Sequence, residues 1–326
     1  MTESVETDTT YSVSFTWTDG QGVTHILSPN PTVVKTPTEC LGAAGLAATP
    51  FPQLSYVSML ANAAGDSYSI LSGSGLIQSY GIPEMAGSPF DSLANLSNTE
   101  LNAPVVGMAR GPAINGNTAG LWIATADGGV FSIGGFTPFF GSAGALHLNK
   151  PIVAMAATSS ADGYWLVASD GGVFAYGNAQ FHGSTGGMHL NSPIVGMAPT
   201  PDNLGYYLVA ADGGVFAFGD AQFQGSMGAT HLNQPIVGMA VDAQTGGYWL
   251  AAADGGVFSF NAPFFGSTGN IHLNAPVVGV AATPDNTGYY EFAADGGVFA
   301  FPSSTPFHGS AGSVHLNKPV VGGAGT

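Results

Sequence analysis

Apolar and polar positions along the chain repeat every 41–43 residues, measured between successive Asp-Gly-Gly-Val-Phe phrases. In the unit 193–234, apolar runs at 194–198, 206–210 and 215–218 are separated by polar turn residues. These runs have the length of buried strands, and the turns contain the Gly, Asp and Asn that reverse a chain. A further short run at 222–225 predicts an outer strand. Four short antiparallel strands per repeat are typical of a β-propeller blade.

The Asp-Gly-Gly phrase predicts a tight turn between the second and third strands, because glycine supplies the positive φ that such turns require. It begins at Asp127, Asp170, Asp212, Asp254 and Asp295. One acidic residue per turn is too few for a calcium loop, so we interpret the Asp as a turn former. The phrase His-Leu-Asn keeps the same phase at His147, His189, His231, His272 and His315. Histidines in loops one blade apart do not converge on a zinc ion, and we expect no metal and no cofactor.

Two degenerate copies of the repeat precede the clear ones. Residues 12–17 alternate polar and apolar positions, and 23–27 follow after an Asp-Gly turn as a returning strand, which predicts a β-hairpin. Residues 68–77 align without a gap with 164–173 and predict a further copy. Residues 1–10 are polar and predict a flexible N-terminal tail.

The two ends of the chain complement each other. After Lys318 another unit begins at 319–323 without continuing, whereas the hairpin at 12–27 lacks a first strand. We therefore predict an all-β fold, a seven-bladed β-propeller of four-stranded antiparallel blades, closed by strand 319–323 pairing with the hairpin 12–27. Closure would satisfy edge strands that otherwise promote aggregation. Residues 11–326 would form one domain, with blades at about 11–53 plus 319–326, 54–103, 104–150, 151–192, 193–234, 235–275 and 276–318.

Charge and composition exclude several partners. The net charge is -16, and the basic residues are Lys35, Arg110, Lys150 and Lys318. Nucleic-acid phosphates and anionic membrane surfaces are bound by clustered Lys and Arg, so we expect neither partner. No apolar stretch is long enough to span a membrane, and the acidic N-terminus is unlike a secretory signal, so we expect synthesis in the cytoplasm without a signal peptide. The single Cys40 cannot form an intramolecular disulfide.

One position in each clear unit varies inside a constant frame. It follows a phenylalanine of the predicted outer strand, precedes Gly-Ser, and is occupied by Phe140, His182, Gln224, Phe265 and His308. Variation at a fixed phase indicates an exposed side chain. Two interpretations stay open, namely drift at a solvent-facing site or a contact surface for a glycan or a protein. Exposed aromatic and uncharged polar side chains suit the second interpretation, which makes these five residues the candidate binding site.

The repeat resembles a known family. Residues 163–184 read Gly-Tyr-Trp-Leu-Val-Ala-Ser-Asp-Gly-Gly-Val-Phe-Ala-Tyr-Gly-Asn-Ala-Gln-Phe-His-Gly-Ser, and Pro-Ile-Val-Gly-Met-Ala follows at 193–198. This unit is similar to a β-propeller repeat of actinobacterial surface and secreted proteins, and to repeats in virion and minor tail proteins of phages that infect those bacteria. The resemblance covers 104–323 well and 54–103 weakly. It implies a binding or structural module without catalytic residues.

Three functions follow from these observations. The first is a non-catalytic virion protein on a phage tail or head surface, contacting the host or neighbouring virion subunits and able to form a homo-oligomer. The second is a bacterial surface or secreted propeller that binds a glycan or protein. The third is a hydrolase or lyase in the central channel, which needs convergent carboxylates. The acidic residues lie mostly in turns, and Glu291 is the one that replaces an aromatic residue on a strand, so we expect no enzyme.

Overall fold

A computed structural model describes residues 101–111, 120–133 and 137–310 in full, and five earlier strands by their backbone. The chain divides into two compact units, 1–50 and 51–326. The predicted single domain of residues 11–326, which joins the N-terminal hairpin to the repeats, stays a prediction.

The predicted N-terminal hairpin is confirmed within the first unit. Strand β1 (Phe15–Thr18) pairs antiparallel with β2 (Thr24–Leu27), and Phe15 lies opposite Leu27. Phe, Trp, Thr and Ile are residues that favour strands, which agrees with this assignment. The predicted tail at 1–10 lies outside the described residues.

Six antiparallel sheets of three strands follow in chain order, which confirms the all-β class and the repeating unit. In each sheet the second strand along the chain is the middle strand. The strands are β3 (Tyr56–Ala61), β4 (Ser67–Ser72), β5 (Ile77–Gly81), β6 (Val105–Arg110), β7 (Leu121–Thr125), β8 (Val130–Ile133), β9 (Ile152–Ala157), β10 (Gly163–Ala168), β11 (Val173–Gly177), β12 (Ile194–Pro199), β13 (Gly205–Ala210), β14 (Val215–Gly219), β15 (Ile236–Asp242), β16 (Gly247–Ala252), β17 (Val257–Phe260), β18 (Val277–Ala282), β19 (Tyr289–Ala293) and β20 (Val298–Phe301).

The core of the repeats lies between the sheets. In β10, Tyr164 and Leu166 pack against the β6–β8 sheet, whereas Trp165 and Val167 pack against the β12–β14 sheet. Side chains alternate across a strand, so a strand that is covered on both faces needs a nearly continuous apolar run. The run Tyr-Trp-Leu-Val in β10 meets this need, and each sheet depends on its two neighbours for burial.

The Asp-Gly-Gly turns join the middle and third strands, as predicted. The Asp212 carboxylate accepts a hydrogen bond from the Gly214 amide at 3.0 Å, and the other four turns repeat this bond at 2.9–3.2 Å. Gly213 has a φ of 81°, and a Cβ atom there would lie 2.5 Å from Cβ of Met227. The Asp is therefore a turn former, and this Gly is required by both backbone and space.

The predicted fourth strand of the blade is wrong. Residues 222–225 are not part of a strand, and each of the five fully described sheets has three strands. Side chains bind the backbone of this segment instead. Tyr207 of the same sheet donates to the Gln222 carbonyl at 2.9 Å, and Tyr248 of the next sheet donates to the Gly225 carbonyl at 2.6 Å. Because these side chains occupy the backbone groups, the segment lies between two sheets and does not extend one of them.

The first strands of successive sheets contact one another in chain order. Strand β6 contacts β9, β9 contacts β12, β12 contacts β15, and β15 contacts β18. Strand β3 contacts β6 and, less extensively, β18. The predicted closing strand at 319–323 lies outside the described residues.

Candidate functional site

The varying position of the repeat lies at the junction between neighbouring sheets. Its side chain is exposed in one unit, at Gln224. It is half-buried in the other four, at Phe140, His182, Phe265 and His308. The predicted exposure is therefore wrong at four of the five positions. That these residues contact a partner stays a prediction.

The contacts of His182 and Phe265 explain why this position varies. The His182 ring lies 5.5 Å from the ring of Tyr206 in the next sheet, and its Nε2 atom is 3.1 Å from the Asn203 carbonyl oxygen. The ring of Phe265 lies 5.7 Å from that of Tyr289, again in the next sheet. A constant tyrosine thus receives residues of different shape. The variation therefore indicates a contact between sheets that tolerates different side chains. In the sequence alone, such a contact shows the same pattern as an exposed site.

The exposed side chain of this segment is the phenylalanine one residue earlier. Five phenylalanines, here called the junction phenylalanines, each expose 58–60% of their surface: Phe139, Phe181, Phe223, Phe264 and Phe307. Full burial would stabilise a phenylalanine by roughly 1.5–3 kcal/mol, most of which these rings forgo. Sequence reasoning placed them in the constant frame and missed their exposure, because a local pattern does not tell which of two adjacent residues faces outward.

An aromatic side chain of the same sheet binds the carbonyl immediately before each junction phenylalanine. Trp165 Nε1 donates to the Gln180 carbonyl at 2.7 Å, directly before Phe181. Four equivalent bonds from Trp or Tyr in the other units measure 2.7–2.9 Å. Buried indole and phenol groups need such a partner, and the connecting segment provides it.

A tyrosine of the next sheet binds the backbone immediately after each of four junction phenylalanines. Tyr206 Oη accepts a hydrogen bond from the His182 amide at 3.1 Å and donates to the Gly183 carbonyl at 2.5 Å. The other three bonds to glycine carbonyls measure 2.5–2.6 Å. These residues, here called the junction tyrosines, are Tyr164, Tyr206, Tyr248 and Tyr289. The backbone is therefore held on both sides of the exposed ring.

Burial raises the pKa of the junction tyrosines, in Tyr164 and Tyr289 to about 12. The pKa values of Tyr206 and Tyr248 are raised for the same reason. Their hydroxyl groups therefore stay protonated and continue to donate throughout the physiological pH range. Presentation of the junction phenylalanines by these bonds does not depend on pH in that range.

The glycine two residues after each of four junction phenylalanines allows two sheets to approach closely. Gly183 has a φ of 138°, and a Cβ atom there would lie 2.5 Å from a ring carbon of Phe218 in the next sheet. A larger residue would both strain the backbone and displace this ring.

A second candidate site is a cavity of about 460 Å³ lined by the carboxyl ends of β6, β9, β12, β15 and β18 and by the loops after them. Its wall is mostly apolar and includes Met108, Met155 and Val241. Polar groups at the wall bind one another, as where Asn203 Nδ2 donates to Ser159 Oγ at 2.5 Å. None of the lining residues that the structure describes carries a carboxylate.

The described part of the chain has no feature of a metal site or of a membrane-spanning helix. No group of three or more His, Cys, Asp or Glu there could hold a metal ion. The described histidines of the His-Leu-Asn phrase are exposed: His147, His189, His231 and His272. Within the same residues, no helix has the length and apolar character needed to cross a bilayer.

Glu291 in β19 is fully buried between two sheets. It lies opposite Val280 and Phe299, which is the register that Leu208 occupies in its own sheet, opposite Met197 and Phe216. The acidic side chain therefore replaces an aliphatic residue, and the prediction that it replaces an aromatic one is wrong. Glu291 does not line the cavity described above.

The Glu291 carboxyl group is only partly hydrogen-bonded. Its Oε2 atom accepts bonds from the Thr268 amide at 3.1 Å and from the Thr268 hydroxyl at 2.9 Å, whereas Oε1 is buried without a hydrogen-bond partner. Burial raises the pKa of this group to about 7, against the lowering effect of the Thr268 hydrogen bonds. Desolvation disfavours the charged form, which is why the neutral acid fits this site better.

A scan against protein-family models gives no match for this chain, and a comparison with curated proteins gives none. Function is therefore inferred from the geometry of the junctions and of the cavity. The junctions are repeated and exposed, whereas the polar groups described at the cavity wall bind each other.

Replacing Glu291 with Leu, the residue of the sister sheets, is expected to remove a pH dependence of stability. The folded chain holds the proton to about pH 7, whereas the unfolded chain releases it near its ordinary value of 4.5. The stabilising contribution of the protonated group is thus complete below about pH 4.5 and is lost as the pH rises through about 7. The free energy of unfolding of the natural chain, measured with urea, should fall by on the order of 2 kcal/mol between about pH 5 and about pH 8. The Glu291→Leu variant should not show this fall.

The matched control for this prediction is Asp285→Asn. Hydrogen bonds from Thr283 and Thr287 lower the pKa of the exposed Asp285 carboxyl, so this group is ionised across the tested range. The control should keep the pH dependence of the natural chain. If Glu291→Leu keeps it as well, the buried carboxyl is not its source.

Proposed function

We propose that this protein is a non-catalytic binding and structural module that contacts its partner through the junction phenylalanines. The observation that carries the proposal is their equal exposure, 58–60%, at the same point of five units. Hydrogen bonds from two sheets hold the backbone around four of the five rings, which fixes the positions from which these rings project. Preorganised aromatic side chains lose little conformational freedom on binding, which favours their use in recognition.

Comparison of the copies within the chain supports a role for the exposed ring. The neighbouring position changes between Phe, His and Gln although it is half-buried in most units, whereas the junction position is Phe in all five. Folding gives little reason for this constancy, because a mostly exposed ring contributes little to a core. Contact with a partner supplies a reason.

For the arrangement of residues 51–326, we propose a propeller-type ring of six three-stranded sheets. The contacts of consecutive first strands and the contact between β18 and β3 support it. The cavity shared by five first strands supports it as well. The seven-bladed ring predicted from the sequence is the alternative. It would place a seventh sheet, made of 319–323 and the hairpin 12–27, between β18 and β3.

We propose a place on the surface of a virion, on a phage tail or head, with the host cell surface or neighbouring virion proteins as partners. The resemblance of the repeat to virion proteins supports this place, as does a chain with only 7% charged residues. The alternative is a bacterial surface or secreted propeller that binds a glycan or protein. The same resemblance supports that alternative.

A hydrolase or lyase in the central cavity has less support. Glycosidase chemistry uses two carboxyl groups about 5–10 Å apart on either side of the substrate. The described lining residues of the cavity include no carboxylate. Glu291, the acidic residue with a strongly raised pKa, is enclosed between sheets.

Replacing all five junction phenylalanines with Ser is expected to abolish binding to the partner. The labelled full chain would be incubated with intact actinobacterial cells and sedimented, beside a sizing run with virion particles. The natural chain should bind saturably to one of these. The five-fold variant should bind at least about tenfold more weakly, and Phe181→Ser alone only a few-fold, because repeated contacts combine through avidity.

Met188→Ser is the matched control, since Met188 is 58% exposed but is not a junction residue. It should bind like the natural chain. Full binding by the five-fold variant, with an unchanged unfolding midpoint, would contradict a role for the junction phenylalanines. Loss of particle attachment or oligomer formation, without cell binding in the natural chain, would favour contact with virion subunits over contact with the host.

Removing residues 319–326 distinguishes the two ring arrangements. A ring of six sheets keeps every strand that the structure describes, so we expect the thermal unfolding midpoint to stay nearly unchanged. The seven-bladed ring would lose its closing strand and melt many degrees lower. Circular dichroism measures the midpoint, and removal of residues 1–10 is the control. A large loss of stability confined to the C-terminal deletion would overturn the six-sheet ring.

A further inference from the structure

We infer that the partner of the junction phenylalanines is a neutral polysaccharide, with one sugar residue stacked on each ring. This inference rests on the proposed binding function and names its ligand class. A sugar ring has an apolar C–H face that packs on the face of an aromatic ring, and its hydroxyl groups remain available to polar side chains.

Exposed amide side chains flank two of the five exposed rings, Phe181 and Phe223. Gln180 is exposed immediately before Phe181, and Gln222 and Gln224 are exposed on either side of Phe223. An amide side chain carries both donors and an acceptor, as a sugar hydroxyl does. An aromatic face with amides beside it therefore offers both kinds of contact that a sugar residue makes.

The spacing of the rings is less suited to a protein partner. Stable protein interfaces bury about 800 Å² on each partner around a continuous apolar centre. The junction phenylalanines are instead distributed one to a unit, each at its own junction, with exposed polar residues in the same segments. Contact at separated, repeated points favours a repeating chain.

Charge argues against anionic partners. The net charge is -16, and the basic residues within the described part of the chain are Arg110 and Lys150. Nucleic acids, anionic glycans and anionic lipid surfaces would be repelled by this charge and would find few cations to bind. A second copy of the chain carries the same charge and is disfavoured in the same way. A neutral polymer meets no such barrier.

The protein repeats its phenylalanines and the polymer repeats its sugars, and this repetition on both partners supplies the affinity. A single sugar stacked on one ring buries little surface and therefore binds weakly. Five rings on consecutive units can engage separate sugars along one polymer, and each bound sugar raises the effective concentration of the others. We therefore expect weak binding of single sugars and much tighter binding of long chains.

The test uses the full chain and the polysaccharides of the cells that it binds. Wall polysaccharides are released and separated by anion exchange into an unretained neutral fraction and a retained anionic fraction. The neutral fraction should compete for cell binding and the anionic fraction should not. Periodate treatment of the cells should abolish binding, whereas protease treatment should leave it intact. In native gels containing the neutral fraction, the natural chain and Met188→Ser should be retarded, and the five-fold Ser variant should not.

Binding lost after protease but kept after periodate, or competition by the anionic fraction alone, would overturn the glycan inference. Phe-dependent binding to cells would then still support the proposed function. Cell binding that does not require the junction phenylalanines would overturn both. Absence of cell binding would overturn the glycan inference and leave the proposed function to the particle-attachment experiment.

Discussion

A hydrogen bond from a buried tyrosine hydroxyl to the backbone of the preceding unit is the interaction on which the described structure depends. Each of the five fully described three-stranded sheets has two apolar faces and must pack against its neighbours to bury them. The connecting segment passes between those sheets, and its polar backbone groups need partners there. The junction tyrosines provide these partners at 2.5–2.6 Å. Because their hydroxyl groups stay neutral, the same contact serves throughout the physiological pH range.

The same bond explains how one segment combines a structural and an exposed residue. It occupies the backbone groups that a fourth strand would use, so the segment lies in the junction. His182 then faces Tyr206, and Phe181 faces outward with its backbone held on both sides. Stability and recognition are thereby assigned to adjacent residues. A change at the exposed ring can alter binding with little effect on packing.

The sequence predicted the features that depend on local chemistry. Strand β12 was predicted at 194–198 and β13 at 206–210, each within one residue, because continuous apolar runs and turn residues are local signals. Whether residues 222–225 form a fourth strand depended on a tyrosine 23 residues after Gly225, which a local pattern does not reveal. Exposure of Phe181 rather than His182 depended on the equivalent distant contact, from the Tyr206 hydroxyl to the Gly183 carbonyl. That Glu291 occupies an aliphatic position of the repeat could have been predicted by aligning Tyr289 with Tyr164, since both begin the same apolar run.

Amide hydrogen exchange at Gln224 is the most direct test of the junction. This amide lies outside any strand and donates to Tyr248 Oη at 3.1 Å. We predict that it exchanges about as slowly as the amide of Leu208 in β13, and that Tyr248→Phe accelerates exchange at Gln224 but not at Leu208. Exchange at Gln224 in the natural chain as fast as at the exposed Ala229 would contradict a junction held by tyrosine hydroxyl groups.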